Sequence, residues 1–159
     1  MLATAIAVFE ATRRFATFQY VGRPTDMMKR VLIADDNKIV RKMLKLVLAK
    51  VPGVTVCAET ADGRAAVESA LALRPDLLIL DVRMPELNGI EVASIVRQNL
   101  PEAKTLLFTM YGDLVGPKLA SCAGVEIVLP KVEGAAALVD AIKKIIQGDS
   151  ASGVELPSC

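Results

Sequence analysis

The sequence predicts an α/β fold, a doubly wound parallel sheet of five strands with helices on both faces, and two observations carry that prediction. The first is alternation. From Lys29 to Gly148, short apolar runs take turns with longer stretches whose apolar residues recur at helical spacing. Strands separated by helices are joined by crossovers, and crossovers give parallel strands. The second is the run Leu77-Leu78-Ile79-Leu80, too short for a helix and apolar without a break. Such a run reads as a strand buried on both faces, as the strands of a parallel sheet are.

Val31-Leu32-Ile33-Ala34 makes the first strand and ends in Asp35-Asp36. Val40, Met43, Leu44, Val47, Leu48 and Val51 follow at helical spacing, with Lys38, Arg41, Lys42, Lys45 and Lys50 between them, and Pro52-Gly53 closes this amphipathic helix. Val54 to Ala58 is the second strand. Asp62-Gly63 turns the chain into a helix carrying Ala66, Val67, Ala70, Leu71 and Leu73, which Pro75 stops. After the third strand, Met84-Pro85 and Asn88-Gly89 shape a loop, and a third helix runs from Ile90 to Asn99 with Ile90, Ala93, Ile95 and Val96 as its buried side. Thr105 to Phe108 is the fourth strand, and Pro117 stands near the first position of a short fourth helix. Val125 to Leu129 is the fifth strand. The last helix carries Ala137, Leu138, Ala141, Ile142 and Ile145 and is capped by Gly148.

The 159 residues, 53% of them hydrophobic, suffice for one domain with a sizeable core. Residues 29–148 are expected to form it. Residues 1–28 read as a leader, either disordered or a loose helix, and residues 149–159 as a disordered tail. A net charge of +1, with 19 scattered basic residues, leaves no electrostatic footprint for nucleic acid or an anionic membrane. No stretch is long and apolar enough to span a bilayer. Cys57, Cys122 and Cys159 are widely spaced and the chain has no histidine, which excludes a Cys/His metal site and suits a reducing cytoplasm.

In a parallel sheet all strands finish along one edge, where open α/β sheets place their chemistry. Asp35 and Asp36 follow the first strand, Asp81 the third, Thr109 the fourth and Lys131 the fifth. Several have an ordinary reading taken singly: Asp35 and Asp36 as caps of the first helix, the threonine as a strand end, the lysine as a solvated charge. Their joint placement from four chain segments outweighs those readings. Three neighbouring carboxylates must share protons or take up a cation, and a hard ion such as Mg²⁺ accepts oxygen ligands. Asp81 then suits a carboxylate nucleophile toward a phosphoryl group, with Thr109 and Lys131 placed to bind its oxygens.

These residues, with Asp81 inside Asp-Val-Arg-Met-Pro-Glu-Leu-Asn-Gly, Thr109 after Leu-Leu-Phe and Lys131 in Leu-Pro-Lys, give a chain that resembles the receiver domain of two-component response regulators over about residues 30–147. The resemblance implies a flavodoxin-like fold with strand order 2-1-3-4-5. It implies that Asp81 accepts a phosphoryl group from a sensor histidine kinase or histidine phosphotransfer protein, and that Asp36, Asp81 and the Arg83 backbone carbonyl ligate Mg²⁺, with Asp35 acting through water. Thr109 and Lys131 would be the switch hydroxyl and the phosphate-binding lysine. Output would leave through the face of helix four, strand five and helix five, toward a second copy or another protein. No enzymatic turnover is expected beyond self-phosphorylation and slow loss of the phosphoryl group. The wording is most like receivers fused to a helix-turn-helix domain. With only 11 residues after Gly148, a stand-alone receiver without direct DNA binding is expected.

The chain departs from the family pattern at several positions. Val128 stands where Tyr or Phe is frequent, Met110 where a small residue is common, and Pro130 precedes Lys131 where proline often follows it. Arg83 and Tyr111 occupy the positions that tune hydrolysis in this family, and their bulk predicts a long-lived phospho-form. One competing reading is a phosphorylation-independent interaction module. A Mg²⁺-dependent phosphatase with an aspartate nucleophile is weaker, because Arg83 stands where its second acid belongs. Flavin or nucleotide binding meets Asp-Asp-Asn after the first strand instead of a glycine-rich loop.

Overall fold

The computed structural model describes residues 28–148. The expected tail, and the leader apart from an exposed Met28, lie outside the described residues. The chain runs β1 (Lys29–Ala34), α1 (Lys38–Leu48), β2 (Val54–Thr60), α2 (Gly63–Leu73), β3 (Leu77–Leu80), α3 (Gly89–Asn99), β4 (Lys104–Thr109), α4 (Pro117–Ala123), β5 (Ile127–Pro130) and α5 (Gly134–Gln147). Single 3₁₀ turns at Gly112–Leu114 and Lys131–Glu133 follow β4 and β5. The five strands are parallel in the order β2-β1-β3-β4-β5, as expected.

Because side chains alternate along a strand, β1 feeds two cores. Val31 and Ile33 join Leu77, Ile79, Leu106 and Phe108 under α1 and α5. Leu32 and Ala34 join Leu78, Leu80 and Leu107 under α2, α3 and α4. The unbroken apolarity of β3 has this cause: all four of its residues are buried, two on each side.

The structure differs from the sequence-based expectation in detail. β2 continues to Thr60, and β5 starts two residues late, at Ile127, although Val125 is buried. On α3 the buried stripe is Gly89, Val92, Ala93 and Val96, with Ile90 and Ile95 half-buried beside it. A glycine at the head of the stripe hides it from a count of apolar residues. Among the described residues no helix is long and apolar enough to cross a membrane.

Candidate functional site

Register brings the site together. Ala34 pairs with Leu80, so the residues that follow them, Asp35 and Asp81, leave the sheet side by side, and the Asp81 N–H donates to the Ala34 carbonyl at 2.8 Å. The chain reverses its direction of winding between β1 and β3, the switch point where this architecture opens a crevice. Carboxylate oxygens of Asp35, Asp36 and Asp81 lie within 4.8 Å of one another. Asp35 and Asp81 are buried and Asp36 is exposed.

Lys131 comes from the end of β5, two strands away, and reaches across β4's end. Its Nζ donates to Asp35 Oδ2 at 2.6 Å and lies 3.4 Å from Asp81 Oδ2. Asp35 Oδ1 accepts the Asn37 N–H at 2.8 Å, while the Asn37 side chain caps α1 by accepting the Ile39 and Val40 N–H groups. Burial pushes the Asp35 carboxyl above its ordinary pKa, and the Lys131 and Asn37 hydrogen bonds oppose that rise without cancelling it. Asp81 Oδ1 accepts the Val82 N–H at 2.8 Å.

Thr109 is fully buried, and its Oγ1 accepts the Tyr111 N–H at 3.2 Å. Tyr111 in turn meets Arg83: the guanidinium Nη1 donates to the phenol oxygen at 3.1 Å, and the guanidinium carbon stands 4.8 Å from the ring centroid. The loops after β3 and β4 are thereby joined to each other. Met110 is largely exposed, and Val128 is half-buried against the core beneath α4.

The loop after Asp81 is held at both ends. Asn88 and Glu91 form a reciprocal capping box at the start of α3. Gly89 packs so close beneath Asp81 that a Cβ there would sit 2.2 Å from the Asp81 carbonyl oxygen.

Four of the five expected side chains, Asp35, Asp36, Asp81 and Lys131, therefore meet, and Thr109 ends β4 at the same edge of the sheet. Reading the sequence missed Arg41, whose Nη1 donates to the carbonyls of Asp35 at 2.7 Å and Asp36 at 3.3 Å. Its position among regularly spaced lysines gave it the look of a solvated charge. Two open clefts, of about 270 and 260 Å³, lie elsewhere: one between the α2–β3 and α3–β4 turns, the other between α3 and α4. Neither gathers acids as the strand ends do.

The family model of the response regulator receiver domain matches residues 31–143. The chain belongs to that family, whose members serve two-component signalling by accepting a phosphoryl group. Response regulator protein VraR of Staphylococcus aureus is 31% identical over 124 residues, which are 78% of this chain and 59% of that protein. The chain thus spans about three fifths of the length of the curated relatives it matches. A LuxR-family two-component response regulator from an Aurantimonas species superposes with a TM-score of 0.70 at 32% identity, over 76% of this chain and 86% of that one. The receiver domain of AraT, a response regulator from Geobacillus stearothermophilus, gives 0.66 at 28% identity, over 79% and 100%.

Proposed function

We propose that Asp81 is the phosphoacceptor of this receiver, taking its phosphoryl group from a phosphohistidine on a sensor kinase or phosphotransfer protein in the cytoplasm. The observation that carries this reading is the meeting of Asp81 with Asp35, Asp36 and Lys131 at the switch point, beside the β4 end where Thr109 stands. In the transfer an Asp81 carboxylate oxygen attacks phosphorus, the P–N bond breaks as the P–O bond forms, and the imidazole leaves with a proton taken from solvent. Lys131 turns from Asp35 toward the incoming phosphoryl oxygens, and the Thr109 hydroxyl donates to another of them.

The donor set suits Mg²⁺: it is all oxygen, it has more negative charge than Lys131 can neutralise, and Asp36 keeps it open to solvent. Asp36, Asp81 and the Arg83 carbonyl would hold the ion, with Asp35 acting through water. When bound it neutralises charge gathering on the phosphoryl oxygens. Output follows from Thr109. Its hydroxyl holds the Tyr111 N–H, so drawing it toward Asp81 draws in the loop that leads to α4. The face of α4, β5 and α5 then changes shape for a second copy or another protein, as a shift between two existing states.

The test is incubation with Mg²⁺ and acetyl phosphate, reading intact mass for the wild type and Asp81→Asn. A single phosphoryl adduct that needs both Mg²⁺ and Asp81 is expected. No adduct from this donor or from a phosphohistidine protein would favour a phosphorylation-independent interaction module.

A further inference from the structure

We propose that Arg41 is a positioning residue for the metal-binding acids, holding Asp36 in the cluster through the backbone; the proposal rests on the Mg²⁺-dependent receiver reading above. The three carboxylates are not equally secured. Asp35 has Lys131 and the Asn37 N–H on its oxygens, and Asp81 has the Val82 N–H and Lys131. Among the described residues nothing hydrogen-bonds to or pairs with the Asp36 carboxylate, which is also the exposed one of the three. Two like charges within 4.8 Å favour its swinging out into water.

Arg41 opposes that motion from behind. Its Nη1 donates to the Asp35 and Asp36 carbonyls, and its backbone N–H donates to the Asn37 carbonyl at 3.1 Å. Three consecutive carbonyls thus end on one residue. Fixing them fixes the backbone angles of the turn, and with them the direction in which the Asp36 side chain leaves it. Arg41 makes no ion pair with any carboxylate among the described residues, so it orders the acids without competing for the oxygens a cation needs. Lys131, which does bond to them, competes. The Arg41 Nε is buried without a partner, a cost that the fold bears to keep the guanidinium beneath this turn.

The experiment is Mg²⁺ titration by calorimetry on the full chain for the wild type, Arg41→Met and Arg41→Lys, with circular dichroism and metal-free melting on each. Arg41→Met keeps the apolar stem and removes the donors. Its Kd for Mg²⁺ is expected to rise about tenfold, the usual effect of losing a residue behind a metal ligand. Arg41→Lys, whose ammonium can donate to the same carbonyls, is expected to recover most of that loss. A Kd for Arg41→Met within twofold of wild type overturns the proposal, as does an Arg41→Lys variant that folds but binds as weakly as Arg41→Met. If Arg41→Met does not fold, Arg41→Gln takes its place, and its expected Kd lies between those of wild type and a tenfold loss; equality with wild type is the overturning result. A wild type that takes up no Mg²⁺ removes the underlying reading itself.

Discussion

Asp35 is pulled two ways. At 1% exposure its charge is stripped of water, yet Lys131 donates to it at 2.6 Å, and burial is the larger influence. Its folded pKa therefore lies above the unfolded value. The folded protein binds a proton there that the unfolded chain has already lost, so this group contributes to stability when protonated and loses that contribution as pH rises through its folded pKa. Asp35→Asn removes the titration. The melting temperature of the metal-free variant relative to wild type is expected to be higher at pH 7 than at pH 4, and a pH-independent difference would show an unshifted Asp35. The Arg83–Tyr111 contact makes a second prediction. A cation held on a ring contributes about 1 kcal/mol, so if it shields the phosphoryl group from water, Arg83→Ala and Tyr111→Ala should each speed loss of the group about fivefold. The double variant should lose little more, because both act through one contact. Loss of label at the wild-type rate in all three variants would leave the contact no role in the lifetime. The identity of each acid, hydroxyl and lysine was readable from the sequence. Their mutual contacts were not, since Lys131 meets Asp35 only once the intervening strands are in register.

Elements were readable wherever one local signal decided them. Asp62 and Asn88 cap α2 and α3 where turns are expected, and Pro117 opens α4, whereas α1 is capped by Asn37 and not by either aspartate before it. Where packing decides, reading failed: β5 begins where its partner Leu106 allows, two residues after apolarity begins, and α3 turns on Gly89. That glycine ties helix to chemistry, because the atom its added Cβ would strike belongs to Asp81. Gly89→Ala is expected to cost about 1–3 kcal/mol of stability by overpacking and also to slow phosphoryl uptake. Asn88→Ala should cost about 1 kcal/mol through the lost cap and leave uptake nearer wild type. Gly116, beside which nothing lies within 4 Å, is the control, and Gly116→Ala should melt close to wild type. Chemical denaturation and a mass-based uptake time course separate the three. If Gly89→Ala and Asn88→Ala lost stability and uptake in the same proportion, Gly89 would have no effect beyond the helix start.

At the scale of the whole molecule, alternation of strand and helix fixes a parallel sheet, but the strand order came from the family resemblance. Nothing in the spacing says that the chain returns across β1 to place β3, and it is this return that sets Asp81 beside Asp35. The acids are therefore neighbours only in the folded state, being 45 residues apart along the unfolded chain when counted from Asp36 to Asp81. A cation that needs both binds the native form alone, and mass action then makes it a stabiliser. At a Mg²⁺ concentration about a hundred times Kd the gain is about 2.7 kcal/mol, which for a domain of this size raises Tm by roughly 10 °C. Removing metal with a chelator should return Tm to its starting value. Asp36→Asn should shrink the Mg²⁺-induced rise while raising the metal-free Tm, because one of three mutually repelling charges is gone. Melting curves with and without Mg²⁺ for both proteins decide the matter. A rise of equal size in wild type and Asp36→Asn would mean that the ion binds somewhere other than this cluster, and no rise in wild type would mean that the cluster does not hold Mg²⁺ at all.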